Sequence, residues 1–147
     1  MSTPMATAQR VRLSLAATAS AASVALIVRL ALRVARFNHV MATVRWLAGT
    51  THRDATPGEV LHVLHVVDAA ATWVPVRIAC VERSLTAVVL LAARRRGVTW
   101  QLGVRTPPLA AHAWLSDATG EPICEPSTTA AYRPLITVSA PSLRTGA

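Results

Sequence analysis

Thiol chemistry needs a cysteine, a base and an acid to hold the base. This chain offers such a set in Cys80, His112 and Glu125. A thiolate attacks carbonyl carbon far better than a thiol, an imidazole can take and return the proton, and a carboxylate can orient the ring and stabilise the imidazolium. Cys80 opens a run in which Val81, Leu85, Val88, Val89 and Ala92 recur at helical spacing. Arg94, Arg95 and Arg96 crowd its last turn, and Gly97 stands where a left-handed cap belongs. A thiol in a first turn lies beside unpaired N–H groups and the positive end of the helix dipole, which favour thiolate. The competing role for a cysteine among Ala, Val and Ile is that of a small buried hydrophobe, so its partners decide.

His112 falls in Leu109–Asp117, which reads as a strand. Ala118-Thr119-Gly120 reads as a turn, and Glu121–Glu125 as a returning strand. A two-residue tip at Ala118-Thr119 sets His112 opposite Glu125, with Cβ atoms about 5 Å apart. Asp117 is the other candidate for the third member. In a regular strand it points to the face away from His112.

Four segments, Cys80-Val-Glu-Arg-Ser-Leu85, Arg94-Arg-Arg-Gly-Val98, Leu102-Gly-Val104 and Ala111-His-Ala-Trp114, resemble in type and order the transglutaminase-like leader peptidases of lasso peptide biosynthesis. The resemblance runs from about Thr56 to Val138 and is strongest from Cys80 to Trp114. It implies that Cys80 is the nucleophile and His112 its base. The family's third member, usually an Asp shortly after the next turn, is here Glu125, with one extra residue in the turn. Ser116 stands where the family often has Glu. The resemblance further implies a cysteine peptidase that frees the N-terminus of a ribosomally made precursor peptide for macrolactam formation. Its implied partners are that precursor, a separate leader-binding protein (a RiPP recognition element) and an ATP-dependent macrolactam cyclase. This chemistry requires neither metal nor cofactor. Arg83 and Trp114 are candidate substrate contacts, and Arg83 has a competing structural role as the partner of Glu82 or Asp68.

The elements that must hold these residues follow from pattern. Thr56-Pro57-Gly58-Glu59 is a capping box with proline in the first helical position, starting a helix to about Ala71. Trp73-Val74-Pro75 breaks it and leads to Cys80. Val98 to Arg105 alternates as a strand, and Tyr132 to Ser139 adds a last one. Upstream, Arg10 to Arg36 forms a long amphipathic helix, Phe37-Asn38-His39 a break, Val40 to Leu47 a short helix, and Thr51 to Ala55 a polar loop. Met1 to Gln9 reads as a loose start. Helices followed by a small antiparallel sheet predict an α+β fold of papain or transglutaminase type. The divisions are a helical region 1–55, a cysteine protease core 56–139 and a loose tail 140–147.

At 147 residues the chain suits one domain. A net charge of +8 fits an acidic peptide or partner; the scattered arginines, without aromatic interleaving or a zinc-finger pattern, argue against nucleic acid. Two cysteines give no secreted disulfide framework, which points to a reducing cytoplasm. The uncharged run Leu13 to Val28 is shorter than the about twenty residues of a spanning helix, and no cleavage site for a signal peptide follows it. The helix around it is expected to pack on the core, with peripheral membrane contact as the alternative. His62 and His65 lie three apart without a third ligand at convincing spacing, so a metal site is not expected. The rival to the enzyme is a non-catalytic basic helical adaptor docking to the cyclase or a membrane.

Overall fold

The computed structural model describes residues 13–141. Within them, α1 (Leu15–Val34), α2 (Phe37–Gly49), β1 (Arg53–Asp54), α3 (Pro57–Ala71) and α4 (Cys80–Ala93) come first. Then follow β2 (Arg96–Gly97), β3 (Thr99–Arg105), β4 (Ala110–Ser116), a 3₁₀ turn at Ser127–Ala131, and β5 (Arg133–Val138). The sheet is antiparallel with order β4-β3-β5, while β1 and β2 form a separate parallel pair. The chain is therefore α+β, helices first.

Local chemistry explains where the helices start. At α3, Thr56 Oγ1 accepts from Glu59 N at 3.2 Å and Glu59 Oε2 accepts from Thr56 N at 2.9 Å, closing the capping box. Glu59 also takes Arg53 Nη2 at 3.1 Å and Arg96 Nε at 3.2 Å, which ties the β1–β2 pair to this turn. One core joins both halves of the chain: Val28 of α1 and Met41 and Val44 of α2 share it with Leu64, Leu85, Leu91, Trp100, Leu115 and Val138. Residues in register share a sheet face. Trp100, Leu102, Ala113, Leu115, Ile136 and Val138 face the helices, and Gly103, His112 and Trp114 take the other side. Trp100 is fully buried, and its Nε1 donates to Ser84 Oγ at 2.9 Å, which in turn donates to the Cys80 carbonyl at 2.8 Å.

Several expectations shift. The helix break falls at Ala35-Arg36, and Phe37 already belongs to α2, because Arg36 is extended (ψ 140°) and its carbonyl accepts from His39 N at 2.9 Å. The polar loop Thr51 to Ala55 contains β1. Gly97 does not cap α4: Arg95 takes the left-handed conformation (φ 59°), and Gly97 is a glycine because a Cβ there would collide with Ala140 Cβ. The returning strand after Asp117 is reduced to a Ser116–Pro122 bridge, on one side of which Ile123 N donates to the Leu115 carbonyl at 2.9 Å. Asp117 N donates to the Glu121 carbonyl at 3.0 Å, so the loop is Ala118-Thr119-Gly120 with Gly120 at φ 90°, and the register is one residue off the expected one. Three-residue loops with a left-handed last residue are a standard hairpin solution, and Asp117 Oδ1 builds this one by accepting from Thr119 N, Thr119 Oγ1 and Glu121 N. Met1 to Gln9, Arg10 and Arg12 of the expected first helix, and residues 142–147 of the tail lie outside the described residues.

The tightest packing constraint in the sheet lies opposite His112, at Gly103. A Cβ at this position would meet the Arg133 carbonyl oxygen at 2.6 Å and the Trp114 ring at 2.8 Å, and the former is backbone that cannot rotate aside. Gly103→Ala should lower stability by about 1–3 kcal/mol, read as a lower urea midpoint at unchanged slope.

Candidate active site

Ala79, the N-cap of α4, has no side chain able to cap. Glu82, three residues on, does the work: its Oε2 accepts from Ala79 N at 3.0 Å. Arg29 of α1 holds that carboxylate through Nη1, 3.2 Å from each oxygen, and donates to the Arg77 carbonyl at 3.0 Å. The first turn is thus pinned from outside its own helix. Cys80 is its first residue and is half-buried; the N–H groups of Cys80 and Val81 precede the first intrahelical bond, from Arg83 N to the Ala79 carbonyl. Both cysteines are free. Among the described residues the Cys80 thiol makes no hydrogen bond.

His112 and Glu125 are in direct contact. Nε2 of the ring lies 2.7 Å from Glu125 Oε2, and the Glu125 side chain is only 6% exposed. Thr129 Oγ1, from the 3₁₀ turn, donates to the same oxygen at 3.3 Å, and Arg83 Nη1 lies 3.7 Å from the other. The regular strand that was expected to deliver Glu125 does not exist; Cys124 at φ 56° turns the chain, and Glu125 reaches His112 by side-chain length. Because Nε2 is engaged, Nδ1 is the nitrogen free to exchange a proton. Trp114 stacks on the ring (centroids 5.8 Å apart, planes at 19°) and Tyr132 tilts against it at 5.4 Å, so the imidazole is held on three sides.

Arg83 sits three residues after Cys80, on the same side of α4. Its fork is engaged by Asp68, Nε to Oδ1 at 2.6 Å and Nη2 to Oδ2 at 2.9 Å. That hydrogen bond raises the guanidinium pKa above its ordinary value; burial opposes it, and the charges of Asp68, Cys124 and Glu125 add to it. Arg83 is therefore a fixed cation linking the cysteine-bearing helix to Glu125. Trp114 is buried, 3% exposed, and presents its ring to His112. Asp117 lies at the far end of β4, where its turn bonds, Thr119's hydroxyl first, lower its pKa. The carboxylate on His112 is Glu125.

Three supporting residues escaped the sequence reading. Glu82 occupies the N3 position where a capping carboxylate belongs, which was a usable signal; Arg29, 53 residues away, gave none. Tyr132 is the chain's one tyrosine, and only the fold brings it to His112.

A family model for the transglutaminase-like superfamily matches residues 5–137, a span that includes Cys80, His112 and Glu125. No curated protein and no solved structure matches the chain.

Arg29→Ala strips the buried Glu82 carboxylate of its cation, leaving one amide donor. Stability should fall by about 1–3 kcal/mol in chemical denaturation. Amide exchange should accelerate most between Arg77 and Glu82, whereas a loss spread evenly over the core would mean that Arg29 does not act through this turn.

Proposed function

The chain belongs to the transglutaminase-like superfamily, and on that premise we propose that it is a cysteine peptidase removing the leader from a ribosomally made lasso precursor peptide. The observation that carries the proposal is the short contact between His112 and a buried Glu125, a base already oriented, on a chain whose Cys80 opens a helix. The four sequence segments that resemble those of lasso leader peptidases favour this reaction within the superfamily.

In this reading the Cys80 thiolate, formed by proton transfer to His112 Nδ1, attacks the scissile carbonyl carbon. The Cys80 and Val81 N–H groups donate to the oxyanion. The intermediate collapses as His112 gives its proton to the leaving amine, leaving a thioester on Cys80. His112 then takes a proton from water, the hydroxide attacks the thioester, and the acid leaves with the thiol restored. Glu125 keeps the ring in register and stabilises its charged form, and Arg83 positions Glu125. The first proton transfer requires the Cys80 thiol and His112 Nδ1 to come within bonding distance when peptide binds; catalytic hydrogen bonds are often long in unliganded enzymes. A separate leader-binding protein presents the precursor, a macrolactam cyclase uses the product, and the reaction runs in the cytoplasm. The rival, a non-catalytic adaptor docking to the cyclase or a membrane, is favoured by the exposed Leu26, Ile27, Leu30 and Val34 on α1.

Incubation with precursor peptides, with and without the leader-binding protein, read by mass spectrometry, separates the two. Cys80→Ala and His112→Ala should each abolish cleavage with native circular dichroism; Glu125→Gln should slow it by about 10²-fold or more, and Asp117→Asn far less. Full cleavage by the Cys80→Ala protein would end the peptidase reading.

A further inference from the structure

Among the described residues α1 is the longest helix, and the fold uses one side of it. Ala21, Ala25 and Val28 are buried, and the helix packs on α3 and α4. At about 3.6 residues per turn, Leu15, Leu26, Ile27, Leu30 and Val34 fall together on the other side, and all are exposed, Leu30 by 61% and Val34 by 75%. Ser23, among them, spends its hydroxyl inside the helix by donating to the Ala19 carbonyl at 3.0 Å. Ile27 also opens onto an apolar cavity of about 220 Å³ between α1, α2 and α4, which widens the apolar area. A continuous apolar stripe exposed on a monomer marks a surface that meets something else.

The charge around the stripe has one sign. Seven arginines precede the first acidic residue of the chain, Asp54. Arg29 and Arg53 are spent on Glu82 and Glu59. Arg33, Arg36 and Arg45 are exposed and make no ion pair among the described residues. Arg33 lies three residues beyond Leu30, at the border of the apolar side, and Arg36 leads into the exposed Phe37. An arginine stem lies along hydrocarbon while its head reaches an anion. Two copies of the chain joined through this side would bring like charges together, whereas an anionic bilayer supplies acyl chains for the stripe and phosphates for the arginines. The stripe also follows one uninterrupted helix of 20 residues, a shape that beds along a flat surface. Crossing the bilayer is barred, because Arg29, 3.2 Å from Glu82, and the buried alanines would have to leave the core. We propose that the outer side of α1 lies in the plane of an anionic membrane, with Leu26, Leu30 and Val34 at the acyl boundary and Arg33 and Arg36 on headgroup phosphates. This attachment does not depend on the peptidase reading.

The test is flotation of the full-length protein with two kinds of vesicle, phosphatidylcholine alone and equal parts of phosphatidylcholine and phosphatidylglycerol. An arginine held at an anionic leaflet strengthens attachment about fivefold, so the mixed vesicles should bind the protein about tenfold more tightly or better. That advantage should shrink in high salt. Leu26→Gln with Leu30→Gln, both at exposed positions, should weaken binding about tenfold with native circular dichroism. Arg33→Gln with Arg36→Gln should cut the preference for the mixed vesicles about fivefold or more. Leu109→Gln, at a leucine 78% exposed outside α1, should change nothing. Equal binding to both vesicles, binding to neither, or undiminished binding by the natively folded leucine variant overturns the attachment. A dimer in sedimentation that the leucine variant dissolves, without vesicle binding, overturns it too and gives this side to a second copy. Precursor cleavage is scored separately: vesicle binding without cleavage refutes the peptidase and leaves the attachment, while cleavage without vesicle binding refutes the attachment and leaves the peptidase.

Discussion

A carboxylate almost wholly removed from water must be met by cations and donors from several directions, or it surrenders its charge. Glu125 is so met: His112 from β4, Thr129 from the 3₁₀ turn, and Arg83 from α4 converge on its two oxygens. Arg83 is itself fixed to Asp68 on α3. The helix layer and the sheet are thereby locked in one relative setting by charge as well as by apolar packing. Replacing such a network with hydrocarbon often costs little stability; its use here is to fix where the imidazole stands relative to the first turn of α4.

That turn has a support of its own. A helix beginning at Ala79-Cys80 lacks the usual Ser, Thr, Asp or Asn at its N-cap, and Glu82 makes good the loss only because Arg29 steadies it. From within the core, the Trp100 indole holds Ser84, and Ser84 holds the Cys80 carbonyl. The thiol-bearing residue is thus braced by one contact from α1 and another from β3, neither of which touches its sulfur.

What could be read from the sequence was local. The capping box at Thr56, the helical period from Val81 to Ala92, and the strand around His112 depend on residues a few positions apart, and all three elements formed. The partnership of His112 with Glu125 was reached through a hairpin register one residue off, because a three-residue loop closed by Asp117 replaced the two-residue tip. The pairing survives because a glutamate side chain is long enough to absorb the slip. Arg29 with Glu82, the β1–β2 pair, and Tyr132 beside His112 could not be read, since each joins segments whose approach is decided by the packed core. Gly97 misled for a related reason: its lack of a side chain answers to Ala140, far along the chain, and not to the helix it follows.

The first helix carries two different obligations on its two sides. Inward, Ala21, Ala25, Val28 and Arg29 are fitted to α3, α4 and the turn before Cys80, so substitutions there propagate to Cys80. Outward, Leu26, Ile27, Leu30 and Val34 are exposed. The inner side is bound by these contacts and the outer is not, so one segment can hold the Cys80 turn in place while its other face changes with its surroundings.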